Sequence, residues 1–116
     1  MNTDQKMALV DIGHPKHLDK FINDEEDDVR AQIAREGNDS HRDILVKDKS
    51  SLVRRIVAIH GNDSHREKLL DDPKWEVRTA VAALGNEQHA KDLLDDEDPR
   101  VSQTAKDRLK KLGEKK

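Results

Sequence analysis

The 116-residue chain has the length of a single domain, with 33% hydrophobic and 41% charged residues. Its 22 Lys and Arg against 25 Asp and Glu give a net charge of −3, which disfavours a generic nucleic-acid or anionic-membrane binder. The absence of cysteine excludes disulfides, thiolate metal sites and a thiol nucleophile. Because no apolar run approaches a membrane span or a signal segment, we expect a soluble cytoplasmic protein without membrane association.

Four residue types recur at a fixed interval of 24 positions, and such a period indicates a repeat architecture. The columns are Gly13, Gly37, Gly61 and Gly85; His17, His41, His65 and His89; Asp24, Asp48, Asp72 and Asp96; and Val29, Val53, Val77 and Val101. Each unit is too short to bury its own apolar face and must pack on its neighbours. A thin stack of this kind leaves most positions in water, which reconciles folding with so polar a composition.

The first predicted element is a helix over residues 3–12, which matches the second helix of a unit without its first. Four units follow, each with two predicted helices. The first helices cover 14–23, 39–47, 63–71 and 87–95, and the second helices cover 25–36, 49–60, 73–84 and 97–112. We therefore expect an all-α domain over residues 1–113, divided into a half-repeat 3–12 and repeats 13–36, 37–60, 61–84 and 85–112, with a frayed tail at 114–116.

The third unit shows the helix boundaries most clearly. Ser64 and Glu67 have the spacing of a capping box for the first helix. Asp72 is the expected N-cap of the second helix, with Pro73 at its first position. Gly85 is the expected left-handed residue that ends that helix.

The segment Leu69 to Ala82 follows the pattern Leu-Leu-x-Asp-x4-Val-Arg-x2-Val-Ala and resembles a HEAT-like repeat. It is most similar to the leucine-rich-repeat variant and to the PBS-lyase HEAT-like class. The resemblance implies an α-solenoid, a right-handed superhelix of four and a half 24-residue repeats. It also implies a structural ladder along the stack, formed by Asp24, Asp48, Asp72, Asp96, Arg30, Arg54 and Arg78. The iron–sulfur member of the variant family requires cysteines, so we expect no cofactor.

No unique catalytic site is apparent in the sequence. Identical Asp and Arg residues in successive repeats argue against one active site, because a catalytic carboxylate needs a particular partner in a cleft. Phosphate-loop, zinc-helix and nucleophile-elbow motifs are absent. The histidine column lies on the inner face of the first helices. Equivalent residues are ~8–10 Å apart in adjacent repeats, too far to share a metal ion, so we expect a structural role such as hydrogen bonding to a turn carbonyl.

Two polar columns of the second helices are interrupted by apolar residues, Leu52 and Ile59, seven positions apart on one helix face. Arg55 lies between them and Trp75 begins the neighbouring second helix. An apolar stripe flanked by charges is typical of a binding patch, although scattered exposed apolar residues are also normal. The sequence therefore favours a non-catalytic scaffold that binds a protein or peptide on its concave face through Leu52, Arg55, Ile59 and Trp75.

Two alternatives to this function remain open. One is an accessory subunit or chaperone of an enzyme, such as a lyase-type partner. The other is nucleic-acid binding through Arg35, Arg54, Arg55 and the lysine-rich tail, which the scarcity of aromatic side chains for base stacking disfavours. The acidic runs at the starts of the second helices stabilise the N-termini of those helices electrostatically. Stacked in successive repeats, they also form an acidic edge that a cationic partner could bind. The oligomeric state is open.

Overall fold

The computed structural model describes residues 1–114 and is all-helical over that range, with nine helices and no strand. The helices are α1 (Thr3–Ile12), α2 (Pro15–Phe21), α3 (Asp27–Glu36), α4 (Asp39–Leu45), α5 (Ser51–His60), α6 (Asp63–Leu69), α7 (Trp75–Leu84), α8 (Glu87–Asp92) and α9 (Pro99–Glu114). The prediction of an all-α chain is confirmed. Residues 115–116 of the expected frayed tail lie outside the described residues, and Glu114 is the last residue of α9.

Long and short helices alternate along the chain. Each long helix packs on the next long one, so that α1, α3, α5, α7 and α9 form one row, and each short helix packs on the long helices before and after it. The molecule measures 46 × 28 × 20 Å along its principal axes. None of the helices in residues 1–114 has both the length and the apolar character needed to cross a membrane.

The core follows the 24-residue period. Val29, Val53, Val77 and Val101 are fully buried, one from each unit. Burying one such side chain stabilises the fold by roughly 1.5–3 kcal/mol. The apolar residues of all units join into one continuous cluster, which a single unit could not form alone.

The second helices begin two residues later than the sequence predicted. The N-cap of α7 is Lys74, and Asp72 accepts a hydrogen bond from the backbone N–H of Lys74 at 3.0 Å. Asp48 does the same for Ser50 at 2.9 Å. Each Asp therefore closes an Asx-type turn ahead of the helix and is not its N-cap, and Pro73 lies in that turn. The prediction failed because the same residue type is favoured at both positions.

Gly37, Gly61 and Gly85 end their helices in an extended conformation and not in the left-handed one predicted for Gly85. Gly61 has φ −79° and ψ −170°, and within the described residues only Gly13 has a positive φ, 74°. A Cβ on Gly61 would lie 2.6 Å from the Val57 carbonyl oxygen and 2.7 Å from His65 Nδ1. Glycine is needed at this position because of close approach.

The capping boxes also differ from the prediction. In α6 the N-cap is Asn62, whose side chain accepts from the His65 N–H while the Asn62 N–H donates to His65 Nδ1. Ser64 and Glu67 do not form the expected pair. The histidine column thus replaces the usual Glu or Gln of a capping box.

Candidate binding groove and side-chain ladders

The repeated arginines connect each unit to the next. Arg54 donates from Nε to Asp72 Oδ2 at 2.6 Å and from Nη2 to Asp72 Oδ1 at 3.2 Å. Its Nη1 donates to the backbone oxygen of Asp48 at 2.8 Å. Two parallel bonds from a guanidinium to a carboxylate are both strong and directional, so Arg54 fixes the distance and angle between two units. The equivalent bidentate pairs are Arg30–Asp48 and Arg78–Asp96.

The ladder also includes Lys6, which sequence reasoning missed. Its Nζ lies 2.9 Å from Asp24 Oδ1. Lys6 stands 24 positions before Arg30, and this spacing could have identified it as a member of the ladder. Burial raises the pKa of the Asp24 carboxyl, but hydrogen bonds from the Glu26 N–H and from Lys6 outweigh burial and hold it below its ordinary value. Asp24 is therefore held ionised at the junction of α1 with the next unit.

The histidines connect successive short helices. His65, which is fully buried, has Nδ1 accepting from Asn62 N–H at 3.0 Å and Nε2 at 2.6 Å from Asp43 Oδ1. Because Nδ1 accepts, the neutral ring carries its proton on Nε2 and donates it to the carboxylate. The same contacts join His41 to Asp19 at 2.7 Å and His89 to Glu67 at 2.8 Å. The partners are thus a backbone amide and a carboxylate, and not the turn carbonyl expected from the sequence.

His17 differs from the other three members of its column. Its Nδ1 is buried without a hydrogen-bond partner, and the structure of residues 1–114 shows no carboxylate on its Nε2. No group of three or more potential metal ligands is found among the described residues.

A second set of arginines caps helix C-termini, and sequence reasoning missed it as well. Arg66 Nε donates to the backbone oxygen of Ala58 at 2.9 Å, and Arg42 does the same for Ala34 at 2.8 Å. In the next unit Ala90 occupies the position equivalent to Arg66. There Arg108 from α9 donates instead to the backbone oxygen of Gly85 at 3.0 Å. These bonds satisfy carbonyl groups that a helix end leaves without a partner.

Three of the four predicted contact residues meet in one groove of about 350 Å³ between α5 and α7. The groove is lined by Arg55, Ile59, Trp75, Glu76, Thr79, Ala80, Ala83 and Leu84. Leu52 is 37% exposed on the same helix but does not line the groove. Ile59 is half-buried and packs on the core, so it forms the wall of the groove and is not a freely exposed side chain.

The indole of Trp75 is held in place by the next long helix. Arg100 lies over the ring, with its guanidinium carbon 3.5 Å from the ring centroid. Arg100 in turn pairs with Asp98 at 2.8 Å, and its side-chain hydrogen bond lowers the pKa of Asp98 to about 2. The stack orders an aromatic side chain at the groove before any ligand arrives, which reduces the entropy lost on binding.

One polar atom of the groove lining is unsatisfied within the described residues. Thr79 Oγ1 is buried and has no hydrogen-bond partner. A helical threonine ordinarily bonds a carbonyl one turn earlier, as Thr104 does with the Arg100 oxygen at 2.7 Å. Thr79 therefore retains a donor and an acceptor.

The arginines proposed for nucleic-acid contact differ in their contacts. Arg54 is committed to the ladder, and Arg35 donates from Nη1 to Gln32 Oε1 at 2.6 Å. Arg55 lines the groove. The three side chains thus have three different environments.

Fold and site together define an all-helical protein with an apolar groove on its row of long helices. No protein-family model, curated protein or solved structure matches this chain.

Proposed function

We propose that the protein is a non-catalytic scaffold that binds a protein or peptide segment in the groove between α5 and α7. In this proposal the chain is a right-handed α-solenoid of four and a half HEAT-like repeats, and the row of long helices is its concave face. The packing order of the long helices and the 24-residue spacing of their contacts support this architecture. The observation that carries the binding function is the groove itself, where Arg55, Ile59 and Trp75 meet.

The chemistry of the groove indicates what it binds. Its walls include Ile59, Ala80 and Ala83, whereas Arg55 and Glu76 place opposite charges on the two helices that border it. A volume of 350 Å³ lies at the small end of the range for ligand pockets, which suits one large apolar side chain of a peptide. The flanking charges fix the orientation of the peptide more than its affinity.

A single buried anchor contributes about 1.5–3 kcal/mol, which is too little for a stable complex on its own. A further contact comes from Leu52, which is exposed on the same long helix. We therefore expect an affinity no tighter than micromolar, about −8 kcal/mol, for a segment that uses both contacts.

The test is selection of peptides from a displayed random library against the chain, followed by titration with Trp75 fluorescence as the readout. Ala83 is exposed in the groove lining, so Ala83→Arg fills the groove without disturbing the core. Gln88→Arg adds the same side chain at an exposed position of α8 and is the matched control.

We expect the selected peptides to bind the wild type and Gln88→Arg equally, and to bind Ala83→Arg at least about tenfold more weakly, the loss of roughly 1.4 kcal/mol. Circular dichroism checks that both variants fold. Equal binding to Ala83→Arg, or the absence of any selected peptide, would remove the groove as the binding site.

A further inference from the structure

One side of α1 forms an apolar surface at the N-terminal end of the row of long helices. A shallow pocket with a volume of about 570 Å³ is lined by Met1, Gln5, Ala8, Leu9 and Ile12. Met1 and Ile12 are 65% and 68% exposed, the highest values among the large hydrophobic side chains in residues 1–114. This surface is separate from the groove between α5 and α7.

Three of these five repeat positions are buried in α3, α5 and α7. Gln5, Ala8 and Leu9 correspond, 48 positions later, to residues of α5 that are at most 6% exposed. Those residues are Val53, Ile56 and Val57. The part of the α1 surface formed by Gln5, Ala8 and Leu9 is thus an inner face of the repeat that the described part of the chain leaves open, whereas the equivalents of Met1 and Ile12, Lys49 and His60, are exposed.

The packing order shows which kind of element covers such a face. The helices α3, α5 and α7 each lie between two short helices, one before and one after. Over residues 1–114, α1 packs on only one short helix, α2. A short helix on the other side of α1 would continue the observed alternation.

His17 gives a second, independent indication of the same element. His41, His65 and His89 each bind a carboxylate of the short helix that precedes their own, at 2.6–2.8 Å. His17, in α2, occupies the same column and has no ion pair with a carboxylate among the described residues. Its Nε2 therefore lacks the acidic partner that the other three have, and its buried Nδ1 lacks the backbone amide that their Nδ1 atoms accept from.

The short helices α4 and α6 show which side chains a helix covering this face of α1 would carry. In α4, Asp43 is followed two and three positions later by the buried Leu45 and Val46. In α6, Glu67 is followed at the same distances by two leucines. The last short helix, α8, has Lys91 at the acidic position, so a second copy stacked end to end would bring a cation towards His17.

We infer that the N-terminal end of the row binds a short amphipathic helix of a partner protein. The helix has a carboxylate followed two and three positions later by large apolar residues. Its carboxylate accepts the Nε2 proton of His17, and its apolar pair covers the side of α1 that carries Ala8 and Leu9. The site and the groove are distinct, so either can fail without the other.

The probe for this site is a peptide with the sequence of residues 37–48, which contains α4, and a control peptide in which Asp43 is lysine. Each is titrated into the full chain and followed by backbone amide chemical shifts. We expect saturable shifts confined to α1 and α2, and binding about tenfold weaker for the lysine peptide and for His17→Leu in the chain.

Because an isolated peptide of this length is a marginal helix, the decision rests on a fusion of the same segment directly ahead of Met1. This fusion places the added carboxylate 22 positions before His17, the separation of Asp19 from His41. We expect the thermal midpoint to rise by roughly 5–10 °C, and to rise much less with lysine at the acidic position.

Equal midpoints for the acidic and lysine fusions would overturn the inference, as would no rise for either. Sedimentation of the unfused chain tests whether a second copy of the chain covers this surface instead. A dimer that Ile12→Asp dissociates would assign the surface to a second copy and not to a partner helix.

Discussion

Gly61→Ala tests the close approach between a helix end and the buried histidine of the next short helix. The added Cβ would lie 2.6 Å from the Val57 oxygen, 2.7 Å from His65 Nδ1 and 3.0 Å from His65 Cβ. The imidazole cannot move aside without breaking its bonds to Asn62 and Asp43. The substitution therefore forces either the helix end or the capping box apart.

The cost follows from these two contacts. Forcing an extra carbon into a packed site costs about 1–3 kcal/mol, and losing the cap bond between Asn62 and His65 adds about 1 kcal/mol. We expect a loss of about 2–4 kcal/mol in the free energy of unfolding, a large share of the 5–15 kcal/mol of a typical domain. Urea unfolding monitored by circular dichroism and by the single tryptophan, Trp75, measures it.

Gly113→Ala is the matched control. Gly113 lies within α9, and a Cβ there meets nothing within 4 Å. Replacing a helical glycine by alanine is neutral or stabilises by up to about 1 kcal/mol. A Gly61→Ala variant within about 0.5 kcal/mol of the wild type, the range of an ordinary surface substitution, would show that the contact is soft and that the reasoning fails.

Two further substitutions probe the ladders. Arg54→Lys keeps the charge but loses the paired bonds to Asp72 and the bond to the Asp48 oxygen, so we expect urea unfolding to show a loss of about 1–3 kcal/mol, and an unchanged midpoint would contradict the bidentate role. The pKa of Asp24 is held below its ordinary 3.8, so the stability contributed by its ionised form is complete above that pH and is lost as the pH falls through the lower folded value. Unfolding followed from pH 5 to 2 in wild type and Asp24→Asn should show a smaller acid loss in the variant, and parallel curves would refute it.

The order of the helices was predictable because each 24-residue unit repeats the same apolar spacing. The exact start of α7 was not, because Asp72 is equally suited to a helix cap and to the turn that precedes it. Gly85 was misread for a related reason: glycine serves both left-handed backbone and close approach, and only the position of His89 distinguishes them.

The groove was predictable in outline from one face of one helix. Arg55 and Ile59 lie one turn apart on α5, and the period places Trp75 in the helix beside them. The depth of Ile59 and the guanidinium of Arg100 over the indole depend on contacts between helices. A sequence period does not encode such contacts between units.

The arginine ladder makes neighbouring units depend on each other for charge balance. Arg78 requires Asp96 of the following unit, whereas its bond to the Asp72 oxygen lies within its own unit. Removing the following unit would leave a largely buried guanidinium without its carboxylate, which is costly. The buried Asp72 needs Arg54 of the preceding unit in the same way, so neighbouring units depend on each other for charge balance, whereas Ser102 at the arginine position of the last unit makes no such demand.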